Sequence, residues 1–264
     1  MTTVNDILQY VQSLAPAYMK ESWDNVGLLC GRGSQCVTKV LVALDPFENV
    51  CQEAVELGAQ LIVTHHPLIF SPVKAITEDD SVGRAILTLI RNDISAINAH
   101  TNLDCTPGGV NDTLAARLGL ENVSVLSPSG TNEAGEDWGL LRYGEVPEQP
   151  LEDFLAAVKT RLMCPGLKYV SGGKPVHKVA VGGGACAGFI AQAANAGCDT
   201  FVTSDIKYNQ FWDARALGLN LIDAGHFYTE NPVCAVLAKK LQAQFPDIQV
   251  CTSDIHTDCA KFFM

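Results

Sequence analysis

Histidines and acidic residues follow three segments that have the apolar, β-branched composition of buried strands. They are His65-His66 after LIVT, His100-x-x-x-Asp104 after SAIN and His226-x-x-x-Glu230 after LIDAG. In parallel α/β units, ligands bind at the carboxyl ends of strands, where loops are free of the packing constraints on the strands themselves. Imidazole nitrogen with carboxylate oxygen suits zinc, iron, manganese or nickel, whereas calcium prefers oxygen alone. The placement and the donor types therefore predict a metal site.

The adjacent pair His65-His66 bears on the number of ions. Pro67 favours an extended His66, so the two side chains are expected to point in different directions and to serve two neighbouring metals. Three histidines and two carboxylates could hold two divalent ions if a carboxylate bridges them. The positive charge of two such ions exceeds the negative charge of the two carboxylates, so the centre would attract an anion or generate hydroxide at neutral pH. Hydrolysis is the chemistry expected.

Chance offers an alternative, because an acidic residue four positions after a histidine is common in a chain with 29 acidic residues. The strand-end placement, its recurrence in both halves and the adjacent histidines favour a metal site over coincidence. His100 is open to three interpretations: a further ligand, a partner that supports a ligand, or a proton carrier. His177 and His256 lie outside the strand ends and are expected to be surface or edge residues. Residues 23–27 are expected to form a structural corner.

A glycine-rich turn, Gly182-Gly183-Gly184, lies between a strand-like and a helix-like segment. It matches a loose dinucleotide pattern, G-x-G-x-x-A, with Asp205 at the end of the next strand. The corresponding turn of the first half, LDPFENV, has no glycine, which weakens that interpretation. Such turns often serve tight packing alone. The functional alternative is a substrate phosphate or carboxylate bound at Gly183 and Gly184, where the helix starts.

Strand-like and helix-like segments alternate along the chain, which predicts an α/β fold with mainly parallel sheets flanked by helices. Residues 39–66 align without a gap with residues 178–205, and seven of the 28 positions are identical. We therefore predict two similar α/β lobes, residues 1–126 and 127–264, with a connector at about 127–178 that opens the second. In this alignment Ser204-Asp205 takes the place of His65-His66, so Asp205 is expected to orient another group or to act as a base.

The composition limits the partners. A net charge of −11 without a Lys/Arg run argues against nucleic acid and anionic membranes as main ligands. The amino-terminal segment lacks the basic start and apolar run of a signal peptide, and no apolar window is long enough to cross a bilayer. These features predict a cytoplasmic protein. Its ten cysteines form no CxxC pair and are expected to be small buried residues.

Six motifs together resemble the Nif-three-like family, whose members are named GTP cyclohydrolase 1 type 2 homologues. In chain order they are SWDNVGLLCG, LIVTHHPLIF, AHTNLD, VGGGA, TSDIKY and DAGHFYTEN, and the resemblance runs from about residue 7 to 250. It implies a two-domain α/β fold with a metal pair between the domains. It carries the ligand role onto His65, His66, Asp104, His226 and Glu230. It also implies a homohexameric ring, and the roughly fifty residues between the lobes are too few for the third domain inserted in some members.

Two departures from the family pattern are visible. Thr203-Ser204-Asp205 stands where a glycine is usual in the middle, and Asn209 stands where a histidine is frequent, which bears on substrate positioning. Neither affects a ligand. The first functional expectation is a metal-dependent hydrolase of a small anionic or nucleotide-like substrate, with GTP ring opening implied by the resemblance and His100 or Asp205 as base or orienting group. The rival is a non-catalytic metal-binding or metal-handling scaffold.

Overall fold

The computed structural model describes residues 1–263, which form two compact units. The first unit comprises residues 1–103 and 234–257, and the second comprises residues 104–233 together with those after Thr257. This division differs from the predicted boundary between residues 126 and 127. The reason is strand pairing: residues 121–126 join the sheet of the second unit, and residues 249–252 join the sheet of the first. Asp104 consequently belongs to the second unit, not to the first as predicted.

The first unit is built on a five-stranded sheet. Its strands are β1 (Gly27–Cys30), β2 (Lys39–Ala43), β3 (Leu61–Thr64), β4 (Ser95–Asn98) and β13 (Gln249–Thr252). They lie in the order β1-β4-β3-β2-β13, and every pairing is parallel except that of β1 with β4. All residues of β3 and β4 are buried, as expected for parallel strands whose two faces are both covered.

Helices α1 (Val4–Leu14), α2 (Glu48–Glu56) and α3 (Ser81–Arg91) belong to the first unit. Two of them begin at sequence-encoded caps: the Thr3 hydroxyl and the Asp6 carboxylate form a capping box at α1, and Asp80 accepts from the amide of Gly83 at α3. The apolar faces of α2 and α3 pack with Leu41 and Ile62 in one buried cluster. The chain passes between the units within α4 (Thr101–Cys105), at the start of α10 (Pro232–Gln244) and again after Thr257.

The second unit has a six-stranded mixed sheet in the order β5-β8-β10-β11-β12-β9. Its strands are β5 (Glu121–Leu126), β8 (Leu141–Gln149), β9 (Lys168–Val170), β10 (Val176–Val181), β11 (Thr200–Thr203) and β12 (Asn220–Asp223). Only the central strands β10, β11 and β12 pair in parallel. The predicted connector is therefore largely part of this sheet, because β8 and β9 pair with β10 and β12. The polar loop within it contains a short ribbon, β6 (Gly130–Thr131) with β7 (Asp137–Trp138).

The helices of the second unit are α5 (Val110–Leu118), α6 (Leu151–Leu162), α7 (Ile190–Asn195), α8 (Tyr208–Ala216) and α9 (His226–Glu230). Phe154 and Val158 of α6 pack on Val179 and Val202 of the sheet in one buried cluster. Within the described residues, no helix has the length and apolarity of a membrane span.

The internal repeat is visible in the strand register. Val42 of β2 pairs with Val63 of β3, and Val181 of β10 pairs with Val202 of β11. These are the valines that the sequence alignment superposes. The same strand-helix-strand arrangement thus occurs in each unit, and β3, β4 and β12 end one, two and three residues before His65, His100 and His226. The α/β fold expected from the alternation is confirmed.

Candidate metal centre

His65 and His66 follow β3 at a bend in the backbone. His65 is 1% exposed, and its Nδ1 lies 3.0 Å from the carbonyl oxygen of Ala99. His66 is half-buried, and its Nδ1 lies 2.6 Å from Oδ1 of Asp45, the second residue after β2. Burial opposes ionisation of Asp45, but the hydrogen bonds from His256 and His66 outweigh it and hold the pKa of Asp45 well below its usual range. In each ring Nδ1 therefore faces an oxygen that can only accept a hydrogen bond. That contact assigns the proton to Nδ1 and makes Nε2 the basic nitrogen of the neutral ring.

His100, two residues after β4, is held in the same way. Its Nδ1 lies 2.8 Å from Oδ1 of Asp24, while the other Asp24 oxygen accepts from the amide of Thr101 at 3.0 Å. Burial opposes ionisation of Asp24, but the hydrogen bonds from His100 and Thr101 outweigh it and hold the pKa of Asp24 well below its usual range. A charged Asp24 fixes the orientation of the His100 ring.

The three histidines of the first unit form one cluster. His65, His66 and His100 each offer a ring nitrogen, and these atoms all lie within 4.8 Å of one another. The ring centroids of His65 and His66 are 4.9 Å apart. The expectation that the adjacent rings point apart is therefore wrong. The strand has already ended at these residues, and the Thr64 hydroxyl donates to the His66 carbonyl at 2.7 Å across the bend, so strand alternation no longer applies.

In the second unit, His226 and Glu230 lie one turn apart on α9. The distance from His226 Nε2 to Glu230 Oε2 is 2.9 Å, as the i, i+4 spacing on a helix allows. Nδ1 of His226 lies 2.7 Å from Oδ2 of Asp205, which follows β11 and adopts a left-handed backbone with φ of 54°. Asp205 thus orients the His226 ring, one of the two roles that the sequence left open for it.

Asp104 and Glu230 supply buried carboxylates in the second unit. They are 7% and 4% exposed, and each offers an oxygen within 4.8 Å of the other's. The Asn111 amide donates to the Asp104 carbonyl at 3.2 Å and so anchors the backbone that carries this side chain. Burial, reinforced by the negative charges of Asp104 and Glu230, raises the pKa of the nearby Cys186 thiol well above its usual value. Two buried carboxylates this close strongly favour a cation.

Gly183 and Gly184 have a different role from the predicted anion binding. Their amides already donate to internal acceptors: Gly183 to Oδ1 of Asn111 at 2.7 Å and Gly184 to Oγ1 of Thr229 at 3.0 Å. Gly184 has a φ of 60°, and a Cβ there would collide with Oε1 of Glu230 and approach Nε2 of His226 to 3.1 Å. The glycines therefore leave space for the two side chains of α9. The following helix α7 has six residues, too short to present a strong dipole.

Sequence reasoning missed several supporting residues. Asp24 and Asp45 hold His100 and His66, and Asn111 connects Asp104 with Gly183. His256, expected to be a surface or edge residue, is 9% exposed, and its Nε2 lies 2.9 Å from Oδ2 of Asp45. The position of Asp45 shortly after the end of β2 is the sequence signal that could have identified it as a site residue. Nothing local to His256 indicated its partner, because that partner is 211 residues away. His177 is exposed, as expected.

The donor set fits divalent transition metals. His65, His66, His100 and His226 all direct Nδ1 toward an oxygen atom, either a backbone carbonyl or a carboxylate. Metal-binding histidines use this arrangement, because the outer hydrogen bond fixes the tautomer and raises the basicity of the other nitrogen. The exposed His177 makes a similar contact with the Val146 carbonyl, but among the described residues it belongs to none of the clusters of candidate donors. The first unit thus offers a cluster of imidazoles, and the second offers an imidazole with two buried carboxylates.

Comparisons with known proteins agree with this arrangement of strands and donors. The model of the family Duf34/NIF3 (NGG1p interacting factor 3) matches residues 2–259. A Clostridium perfringens protein named GTP cyclohydrolase 1 type 2 homolog is 36% identical over 262 residues, which cover 98% of this chain and 99% of that protein.

Solved structures show the same fold over the whole chain. A Bacillus cereus protein related to NIF3 matches with a TM-score of 0.94 and 29% identity, covering 100% of this chain and 99% of its own. A Staphylococcus aureus protein matches with a TM-score of 0.90 and 32% identity, covering 99% of each chain. The resemblance inferred from the six motifs is confirmed: this chain belongs to the Duf34/NIF3 family.

Proposed function

We propose that this protein is a metal-dependent hydrolase of a small anionic or nucleotide-like molecule. In this proposal His65, His66, Asp104, His226 and Glu230 hold two divalent ions. The observation that carries it is the shared orientation of the histidines, each with Nδ1 held by an oxygen acceptor, so that Nε2 is the candidate ligand atom. In His226 this Nε2 lies 2.9 Å from Oε2 of Glu230, the other candidate ligand of α9.

The ligand chemistry restricts the ions to zinc, iron, manganese or nickel. Ions of this kind supply Lewis acidity and make water a competent nucleophile at neutral pH. The chain's own residues have separate roles. Asp205 keeps His226 oriented, and Asp24 keeps His100 oriented beside His65 and His66. We assign His100 the part of proton carrier, because its ring lies in the histidine cluster and its Nδ1 proton is held by an ionised carboxylate.

The names of the relatives suggest the first substrate to test. The Clostridium perfringens relative is named GTP cyclohydrolase 1 type 2 homolog, and a net charge of −11 makes an acidic polymer a poor partner. A small anionic substrate, attracted by the charge of the metal ions, is consistent with the name of the relative and with the net charge of this chain. Hydrolytic opening of the GTP base is therefore the first reaction to assay.

The test combines metal content with turnover. We expect about two divalent ions per chain by elemental analysis, and we expect His65→Ala and Glu230→Ala each to lose metal and turnover while keeping the fold. His177→Ala is the matched control, because His177 is exposed and its Nδ1 faces the Val146 carbonyl. Loss of metal in only one of the two variants would refute the proposed set of ligands. Full metal loading without turnover of GTP, pterins or phosphoesters would refute the hydrolase and leave the non-catalytic metal-binding role.

We also propose that the chain assembles into a homohexamer, as the family resemblance implies. Light scattering should then give a mass six times the 28.3 kDa of the chain. The same measurement on His65→Ala separates the roles of the metal. An enzyme should keep its assembly without metal, whereas a scaffold with structural metal should dissociate.

A further inference from the structure

A cavity in the first unit opens beside His66 and has no assigned role. Its volume is about 840 Å³, which is within the range of small-molecule sites. The walls are contributed by the loop after β2, by α2, by the chain that follows His66 and by the start of α3. A cavity of this size that reaches a candidate metal ligand is large enough for more than the reacting group of a substrate.

Two aromatic rings stand in the wall of this cavity. Phe47 and Phe70 are each 57% exposed, an unusual state for phenylalanine. Both contact the histidine network edge-on: Phe47 meets His256 at 5.9 Å between ring centroids, and Phe70 meets His100 at 6.2 Å. Phe70 also packs against Trp23 at 5.7 Å. Exposed aromatic faces beside the candidate site favour stacking on a flat ring.

The carboxylates at the cavity already have hydrogen-bond partners. Its carboxylates are Asp45, which is held by His66 and His256, and Glu48, whose Oε2 lies 2.7 Å from Nε of Arg84. The described residues that line the cavity include no lysine or arginine. A phosphate or another anion would therefore find no lysine or arginine there, and a positively charged ligand would have to compete with the hydrogen bonds that both carboxylates already accept. The cavity suits an uncharged occupant.

Polar but uncharged side chains complete the lining. Asn49 and Gln52 of α2 carry amides, and Ser81 and Thr88 of α3 carry hydroxyls. Each of these groups can both donate and accept a hydrogen bond. Such groups can recognise the edge of a heterocycle while the phenylalanines cover its faces.

We propose that this cavity binds the flat, uncharged ring system of the ligand, an aromatic bicycle or heterocycle with hydrogen-bonding edges. The ring lies against Phe47 and Phe70, and any anionic or reacting group lies outside the cavity toward His66. The identity of that reacting end rests on the proposed hydrolase, but recognition of the ring does not. The metal-free protein should therefore discriminate between rings according to their charge.

The test uses three bicyclic probes of the same shape: neutral 2-naphthamide, cationic 2-naphthamidine and anionic 2-naphthoate. Binding to the protein in EDTA is measured by ligand-observed NMR and calorimetry. We expect 2-naphthamide to bind at least threefold more tightly than either charged probe. Removing both rings in Phe47→Ala/Phe70→Ala should weaken it at least tenfold. Phe47→Leu/Phe70→Leu keeps the apolar bulk but removes the aromatic faces, so it should also weaken binding; unchanged binding would overturn stacking on these rings.

Tyr208→Ala is the matched control, because Tyr208 is an 81% exposed aromatic residue of the second unit. It should leave binding unchanged, and thermal unfolding checks that all variants fold. Preference for a charged probe, or equal weakening by Tyr208→Ala, would overturn the proposal. So would a change of oligomer mass in Phe47→Leu, since the cavity would then be an interface with a second copy. Ring binding without any metal-dependent turnover would instead refute only the hydrolase.

Discussion

The Gly184→Ala variant tests whether the glycine turn exists to accommodate the side chains of α9. A Cβ at this position would come closer to Oε1 of Glu230 than the 3.0 Å that real Cβ atoms keep. The oxygen lies at the end of a flexible side chain, so it can move aside by roughly 1 Å, several times the ~0.2 Å within which metal–ligand distances are held. The substitution should therefore disturb metal binding more than folding.

The expected size of the effect has two parts. The left-handed backbone of Gly184, with φ of 60°, costs an alanine about 1–2 kcal/mol in the free energy of unfolding. Gly197→Ala shares this cost, because Gly197 has a φ of 78°, but its Cβ would meet nothing within 4 Å. Both variants should thus lose similar stability in EDTA. Only Gly184→Ala should also lose metal affinity, by about tenfold or more, which corresponds to about 1.4 kcal/mol.

The assay is a competitive zinc titration of both variants and the parent protein, combined with urea unfolding in EDTA. The difference between the two alanine variants isolates the collision with Glu230 from the backbone strain that they share. Equal zinc affinity in Gly184→Ala and Gly197→Ala would refute the role assigned to the turn. A much larger stability loss in Gly184→Ala without metal would show that the carboxylate cannot move aside.

Two further predictions concern residues outside the ligand set. His256→Ala should weaken metal binding by about tenfold, because Asp45, which orients His66, loses its second contact, the one with His256. His256→Gln keeps a hydrogen-bond donor and should recover the affinity in the same zinc titration. Equal losses of affinity in both variants would exclude a positioning role for His256. Among the cysteines, exposed Cys36 and Cys259 should be alkylated by iodoacetamide at pH 8, whereas Cys51 and Cys198 should not, since burial raises their pKa to about 12 and about 11 and the thiolate is the reactive form. Mass spectrometry of the folded protein checks this, and rapid labelling of Cys198 would contradict it.

Local signals in the sequence were sufficient for the central strands. LIVT and SAIN are short and fully buried, and their boundaries coincide with β3 and β4. His65 and His66 follow β3 directly and His100 follows β4 after one residue, so the same signal that located the strands also located these histidines. The i, i+4 spacing placed His226 and Glu230 on one side of α9 for the same reason: it is a regularity of the helix backbone.

Features that depend on distant pairing were not predictable in this way. The predicted domain boundary was wrong because a strand belongs to the sheet of its hydrogen-bonded neighbour, as β5 belongs to the sheet of β8. No pattern within a strand identifies that neighbour. The sequence left the glycine turn open between tight packing and anion binding, and only the contacts of its amides with Asn111 and Thr229 distinguish the two. Both partners lie outside the motif.

The pairing of β13 with β2 has a consequence for synthesis of the protein. Residues 249–252 form the last strand of the first unit, although more than a hundred residues of the second unit precede them in the chain. Until they leave the ribosome, β2 is an unprotected sheet edge with unpaired amides and carbonyls. The second unit can complete its sheet earlier, since all six of its strands are translated before β13. We therefore expect nascent chains to pass through a stage in which the later-translated unit is folded and the earlier one still needs protection from aggregation.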